Sequence, residues 1–92
     1  MKSLSITVIN KLGMHARASA KFVSLASQFK CDVTLGRNGQ QANGKSIMGI
    51  MMLAAGKGTQ LDLHVDGDDE EHALHVLSDL THDRFGDAEG GR

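Results

Sequence analysis

Within the stretch LGMHARASAKF, residues 12–22, a histidine at position 15 stands at the junction of a glycine-bearing loop and a segment with helical spacing, and Arg17 follows two residues later. An isolated histidine is more often a surface or structural residue than a reactive one, so its neighbours must decide the reading. If the helix begins at Ala16, His15 is its N-cap or lies beside it, and the N–H groups of Ala16, Arg17 and Ala18 point toward the imidazole. The positive end of the helix dipole then favours the neutral, nucleophilic ring, which can attack phosphorus. The same N–H groups and dipole stabilise a phosphoryl group once it is on the ring, and Arg17 adds charge-assisted hydrogen bonds. No Asp or Glu occurs from Met1 to Cys31, so no carboxylate near in sequence orients His15 as a base. A transient covalent carrier needs none: it requires an exposed nucleophile and a cradle for an anion.

Ser46 precedes the apolar run IMGIMML and reads as an N-cap, because its hydroxyl can accept an N–H of the first turn. Met48 and Met51 could be ordinary packing. Ile50 and Leu53 already supply a buried face for this short helix, however, which leaves the two methionines as an exposed, adaptable apolar patch. His72, His75 and Asp79 have spacings that can share a helical face, but no thiolate or second histidine pair completes a tetrahedral set, so they read as a solvated face and no metal is expected. Gly56-Lys57-Gly58 lacks the spacing and following helix of a P-loop, and nothing in the chain calls for a cofactor.

The elements that must position these residues follow from hydrophobic period. Leu4, Ile6 and Val8 alternate with Ser5, Thr7 and Ile9, which predicts a half-buried strand, and Asn10 to Gly13 form a loop. In the helix from Ala16, the residues Ala18, Phe22, Leu25 or Ala26, and Phe29 share one face, with Ser19, Lys21, Ser24 and Gln28 away from it. Val33 and Leu35 alternate with Asp32 and Thr34 in a second strand, Asn38-Gly39 makes a type I′ turn, and Gln40 to Asn43 return as a short polar edge strand. Ile47, Ile50 and Leu53 share a face of the helix opened by Ser46, and Ala54 to Gly58 break it. Leu61, Leu63 and Val65 alternate with Asp62, His64 and Asp66 in a fourth strand. Asp68 and Glu71 form a capping box for a last helix with its core face at Ala73, Val76 or Leu77, and Leu80. The order β-α-β-β-α-β-α implies an α+β domain: three helices on one face of a mainly antiparallel four-stranded sheet.

A chain of 92 residues has room for one such domain with a modest core. It is expected over residues 1–85, with the polar, glycine-rich residues 86–92 fraying as a tail. The 40% apolar and 23% charged residues are ordinary for a folded chain. Cys31 stands alone, which excludes a disulfide framework and reads as a half-buried small hydrophobe in a reducing compartment. The first residues lack a signal-like apolar run and no stretch is long enough to span a bilayer, so the expected location is the cytoplasm, without membrane insertion. The net charge of −1 conceals a basic first third and an acidic last third. A basic region around a histidine suits an anionic ligand or an acidic protein partner. Only three aromatic residues, Phe22, Phe29 and Phe85, argue against nucleic acid as a partner.

The segments GMHARASAKF around His15 and NGKSIMGIMML around Ser46, with the length and element order, resemble the HPr family, the histidine-containing phosphocarriers of the bacterial phosphotransferase system. The resemblance spans residues 2–85 and implies an open-faced β-sandwich of four strands and three helices. It implies that the chain is a protein substrate rather than an enzyme: His15, through Nδ1, takes a phosphoryl group from enzyme I, itself charged by phosphoenolpyruvate, and passes it to enzyme IIA proteins. Arg17 becomes the phosphate-side arginine. The match of GKSIMG implies regulatory phosphorylation of Ser46 by HPr kinase/phosphorylase, adding negative charge beside the docking face. That face is expected to comprise Ala20, Lys21, Lys45, Ile47, Met48 and Met51 on a monomer, with Lys21 and Lys45 as rim charges. Ala18 departs from the proline that many members carry; it returns an N–H donor and alters local rigidity. A nitrogen-branch carrier, or a regulatory module controlled by Ser46 without phosphoryl transfer, are the alternative functions.

Overall fold

Alternation in the chain becomes a sheet whose two faces differ. A computed structural model describes residues 1–86, which form β1 (Lys2–Thr7), α1 (Ala16–Ala26), β2 (Asp32–Arg37), β3 (Gln40–Asn43), α2 (Ile47–Met52), β4 (Gln60–Asp66) and α3 (Glu70–His82), followed by a short 3-10 turn at Arg84–Gly86. The strands run in the order β1-β4-β2-β3, every pair antiparallel. Register places Ile6 opposite Leu61, Val33 opposite Val65 and Leu35 opposite Leu63, so the apolar members of three strands meet on one face. The other face is polar and open, and there the Ser3 hydroxyl lies 2.6 Å from Nδ1 of His64. Asn38 and Gly39 both take positive φ, 51° and 82°, in the expected two-residue turn, and β3 is an edge strand.

All three helices cover the apolar face: α3 against β1 and β4, α1 against α2 and α3, α2 against β3. Phe22, Leu35, Ile50, Leu61, Leu63, Leu77 and Phe85 are fully buried between the layers. Each such side chain contributes about 1.5–3 kcal/mol by leaving water. Among the described residues no helix is long and apolar enough to cross a membrane.

Several local expectations are corrected. β1 ends at Thr7, yet Val8 still exchanges hydrogen bonds with the two residues that precede β4, its N–H donating to the Thr59 carbonyl (2.9 Å) and its carbonyl accepting from Gly58 (2.7 Å). Ser19 is buried rather than turned outward, because its hydroxyl donates to the Met14 carbonyl at 3.2 Å. Thr81, for which no role was expected, is also a core residue, its hydroxyl donating to the Leu77 carbonyl at 3.0 Å. Of the alternatives Leu25 or Ala26 and Val76 or Leu77, burial selects Ala26 and Leu77. Ile47, which shares the helical period of the buried Ile50 and Leu53, is itself exposed. The N-cap of α3 is Asp69, not Asp68, and no capping box forms. The Asp69 carboxylate accepts the N–H groups of Lys30 (2.8 Å) and Cys31 (2.9 Å), which ties the α1–β2 connection to α3. Those backbone donors, Lys30 foremost, hold the Asp69 carboxyl below its ordinary value. Cys31 is buried fully, and burial together with the nearby Asp69 pushes its thiol up. Phe85, at the end of the expected domain, is a core residue held at φ 54°. Of the expected tail only Gly86 is among the described residues, its N–H donating to Asp83; residues 87–92 lie outside them.

Candidate functional site

Residues Asn10 to Met14 place the histidine. Asn10 is fully buried and its side-chain amide donates to the Gly13 carbonyl at 2.6 Å, while the Gly13 N–H returns to the Asn10 carbonyl at 3.1 Å. Gly13 has φ +70°, and a Cβ there would stand 2.6 Å from the Ala55 carbonyl oxygen and 2.8 Å from Gly56 Cα. Only glycine lets the loop approach the segment after α2 this closely. The contact is secured by the Met14 N–H, which donates to the Ala55 carbonyl at 2.8 Å.

His15 follows with extended backbone, φ −73° and ψ 177°, as the N-cap of α1. Its carbonyl accepts the first helical bond, from Ser19 N–H at 2.9 Å, but its side chain makes no cap hydrogen bond. A serine or aspartate at such a position normally turns inward to satisfy the first turn. Here the ring is instead half-exposed beside first-turn N–H groups that have no preceding turn to bond to, and no acidic residue lies in that turn. Arg17 is exposed on the same turn, and Ala18 is fully buried. The arrangement offers an imidazole nucleophile at the positive end of α1, with Arg17 exposed in the first turn, a setting that favours an anionic adduct.

α2 packs beside α1. Ser46 is its N-cap, as expected, with Oγ accepting the Gly49 N–H at 3.1 Å. Ile50 and Leu53 are buried, and Ile47, Met48 and Met51 are exposed with Met52, the most open of the four at 77%. Met52 was not expected on this surface, although it lies four residues, about one helical turn, after Met48. Leu12, in the loop before His15, is a further exposed apolar side chain at 67%, and it carried no periodic signal. Ala20 is half-buried and Lys21 exposed. Lys45 is not a loose rim charge: its ammonium donates to the Phe29 carbonyl at 2.8 Å, completing the turn after α1. His72 and His75 lie elsewhere, the first edge-on to Phe29 at 5.3 Å and the second 3.4 Å from Asp79 on the solvent face of α3. Among the described residues no group of three side chains suited to a metal comes together.

The end of α2 holds a residue that the sequence did not flag. Arg37, from the end of β2, donates through Nη1 to the carbonyls of Leu53 (2.6 Å) and Ala54 (2.8 Å). Ala54 itself has φ 52°, a left-handed conformation that costs a non-glycine residue about 1–2 kcal/mol.

Comparison with known proteins agrees with this geometry. A family model described as "PTS HPr component phosphorylation site" matches residues 2–83. The phosphocarrier protein HPr of Pseudomonas aeruginosa is 54% identical over 90 residues, covering 97% of this chain and all of that one. A crystal structure of HPr-C-His from Thermoanaerobacter tengcongensis superposes with a TM-score of 0.93 at 42% identity, over 97% of this chain and 100% of the other. A crystal structure of an HPr dimer from the same organism gives 0.76 at 42% identity, over 95% and 100% of the two chains.

Proposed function

This chain belongs to the HPr family of phosphocarrier proteins of the phosphotransferase system, and we propose that His15 is its phosphoryl acceptor, loaded by phospho-enzyme I and unloaded by enzyme IIA proteins. The observation that carries this reading is a half-exposed histidine standing as the N-cap of α1, at the positive end of the helix, with Arg17 in the first turn. A lone pair on an imidazole nitrogen forms the new N–P bond while the bond from phosphorus to the donor breaks, its electron pair leaving with the donor. Transfer to the next protein reverses these roles. No water or further reactant enters. The first-turn N–H groups and Arg17 compensate the charge on the transferred group while His15 carries it.

The exposed apolar surface of Leu12, Ile47, Met48, Met51 and Met52, with Ala20 and Lys21 beside it, is the proposed docking face for both donor and acceptors. Unbranched methionines can repack against partners of different shape. Ser46 is proposed as a regulatory phosphorylation site for HPr kinase/phosphorylase, a reading supported by the motif GKSIMG and by the half-exposed hydroxyl at the edge of that face. One copy in the cytoplasm is the proposed working unit, because His15, Arg17 and the α2 surface all come from a single chain.

Incubation with enzyme I, phosphoenolpyruvate and Mg²⁺, read by intact mass spectrometry, tests the proposal. One acid-labile phosphoryl group is expected on the wild type and none on His15→Ala. An unmodified wild type, or equal labelling of the variant, refutes it. Subsequent transfer to sugar-type or nitrogen-type enzyme IIA distinguishes the two branches.

A further inference from the structure

The support beneath His15 can be followed residue by residue to a side chain far from it in sequence. His15 N–H donates to the Gly13 carbonyl at 2.9 Å, and Met14 N–H to the Ala55 carbonyl at 2.8 Å. The position of the Ala54–Gly56 segment therefore sets the height at which the loop, and the histidine at its end, stand on the domain. That segment is itself held in an unfavourable way, since Ala54 adopts φ 52° where glycine is the usual residue. A left-handed alanine persists only where its surroundings over-determine it. On one side the constraint is the Met14 bond; on the other it is Arg37, whose Nη1 bonds the carbonyls of both Leu53 and Ala54.

Arg37 also supplies what α2 lacks. The last turn of this helix contains no basic residue of its own, while its terminal carbonyls need donors. A planar, permanently charged guanidinium on the end of β2 meets that need with two bonds from one nitrogen, and β2 is an interior strand of the sheet. The sheet thus grips the α2 terminus, and the α2 terminus holds the histidine loop.

We infer that Arg37 is a positioning residue for phosphoryl transfer, acting through the Leu53–Ala55 turn to fix the loop that presents His15. This rests on the reading of His15 as acceptor. Positioning by a few tenths of an ångström matters because the reacting atoms must lie in line at short range, and small misplacements remote from the chemistry cost up to two orders of magnitude in rate.

The test compares wild type, Arg37→Ala, Arg37→Lys, Ala54→Gly and the double variant Arg37→Ala/Ala54→Gly. It measures kcat and KM for His15 phosphorylation by enzyme I, with amide exchange of Met14 relative to Leu63 in the core as a second readout. Arg37→Ala is expected to lower kcat roughly tenfold at nearly unchanged KM and to speed Met14 exchange selectively. Ala54→Gly in the same chain should restore much of both, since glycine takes the left-handed turn without being held there. If Arg37→Ala does not fold, Arg37→Lys with and without Ala54→Gly carries the same comparison. Unchanged kcat with raised KM would make Arg37 a docking charge and overturn the inference, as would failure of Ala54→Gly to restore either readout. A wild type that takes no phosphoryl group overturns the acceptor reading instead, and the exchange comparison still decides whether Arg37 holds the loop.

Discussion

Replacing Gly13 with alanine should damage this protein more than its exposed neighbourhood suggests. The left-handed φ of +70° costs an alanine about 1–2 kcal/mol before any contact is considered. The new methyl group would then meet the Ala55 carbonyl oxygen at 2.6 Å and Gly56 Cα at 2.8 Å, both backbone atoms that cannot rotate aside. Either the clash is absorbed, at the roughly 1–3 kcal/mol typical of overpacking, or the loop lifts and gives up the Met14–Ala55 hydrogen bond, worth about 1 kcal/mol. These two are alternatives and the cheaper one prevails, so the expected loss is about 2–3 kcal/mol, or roughly 8–24 °C in Tm for a domain of this size. The chain has no Trp or Tyr, so urea unfolding is followed by far-UV circular dichroism. Gly56→Ala is the internal control, because a Cβ at Gly56 meets nothing within 4 Å. It should change stability by no more than about 0.5 kcal/mol. A loss below about 1 kcal/mol for Gly13→Ala, or equal losses for the two variants, would refute the claim that close backbone approach holds the histidine loop.

Met48→Gln with Met52→Gln should leave stability within about 0.5 kcal/mol and raise KM for enzyme I roughly tenfold with little change in kcat, as measured by steady-state phosphorylation. Loss of kcat alone would place the two methionines outside the docking face. Ser46→Asp should slow loading of His15 with little change in fold, most strongly at low salt; Ser46→Ala should instead cost about 1 kcal/mol of stability through the lost cap and leave loading intact, so equal kinetics for the two would remove the electrostatic account. Asp69 has a folded-state carboxyl below its ordinary 3.8, so its contribution is present above that value and disappears as pH falls through the lowered one. Asp69→Asn should therefore be less stable than wild type at neutral pH, with the two unfolding curves converging in acid; a gap that persists in acid would mean the carboxylate charge is not what matters.

The strands, the Asn38-Gly39 turn, the Ser46 cap and the start of α1 were all legible because each is governed by side-chain period or backbone sterics over a few consecutive residues. The same holds for the proposed site, where His15, Arg17 and the helix that aligns them are contiguous. Misreadings fell where a polar side chain finds its partner through packing. Ser19 and Thr81 look like surface residues by type, but each hydroxyl is satisfied by a nearby carbonyl and so can be buried without penalty. The cap of α3 was expected at Asp68, whereas the N-cap is Asp69, and its carboxylate serves the backbone of Lys30 and Cys31, 39 and 38 residues away, instead of its own helix.

Lys45 shows the same principle at the proposed interface, since its charge was expected on the rim and is fastened to the Phe29 carbonyl. The period of the chain alone was enough to establish which faces are apolar, where helices and strands begin, and that a histidine stands at a helix start. Which donor meets which orphan carbonyl depends on the distances between packed layers, and those arise only when residues such as Arg37 and Leu53, or Met14 and Ala55, are brought together by the sheet and its helices. Hydrogen bonds reach about 3 Å, whereas sequence pattern carries no information about which distant segments will approach that closely.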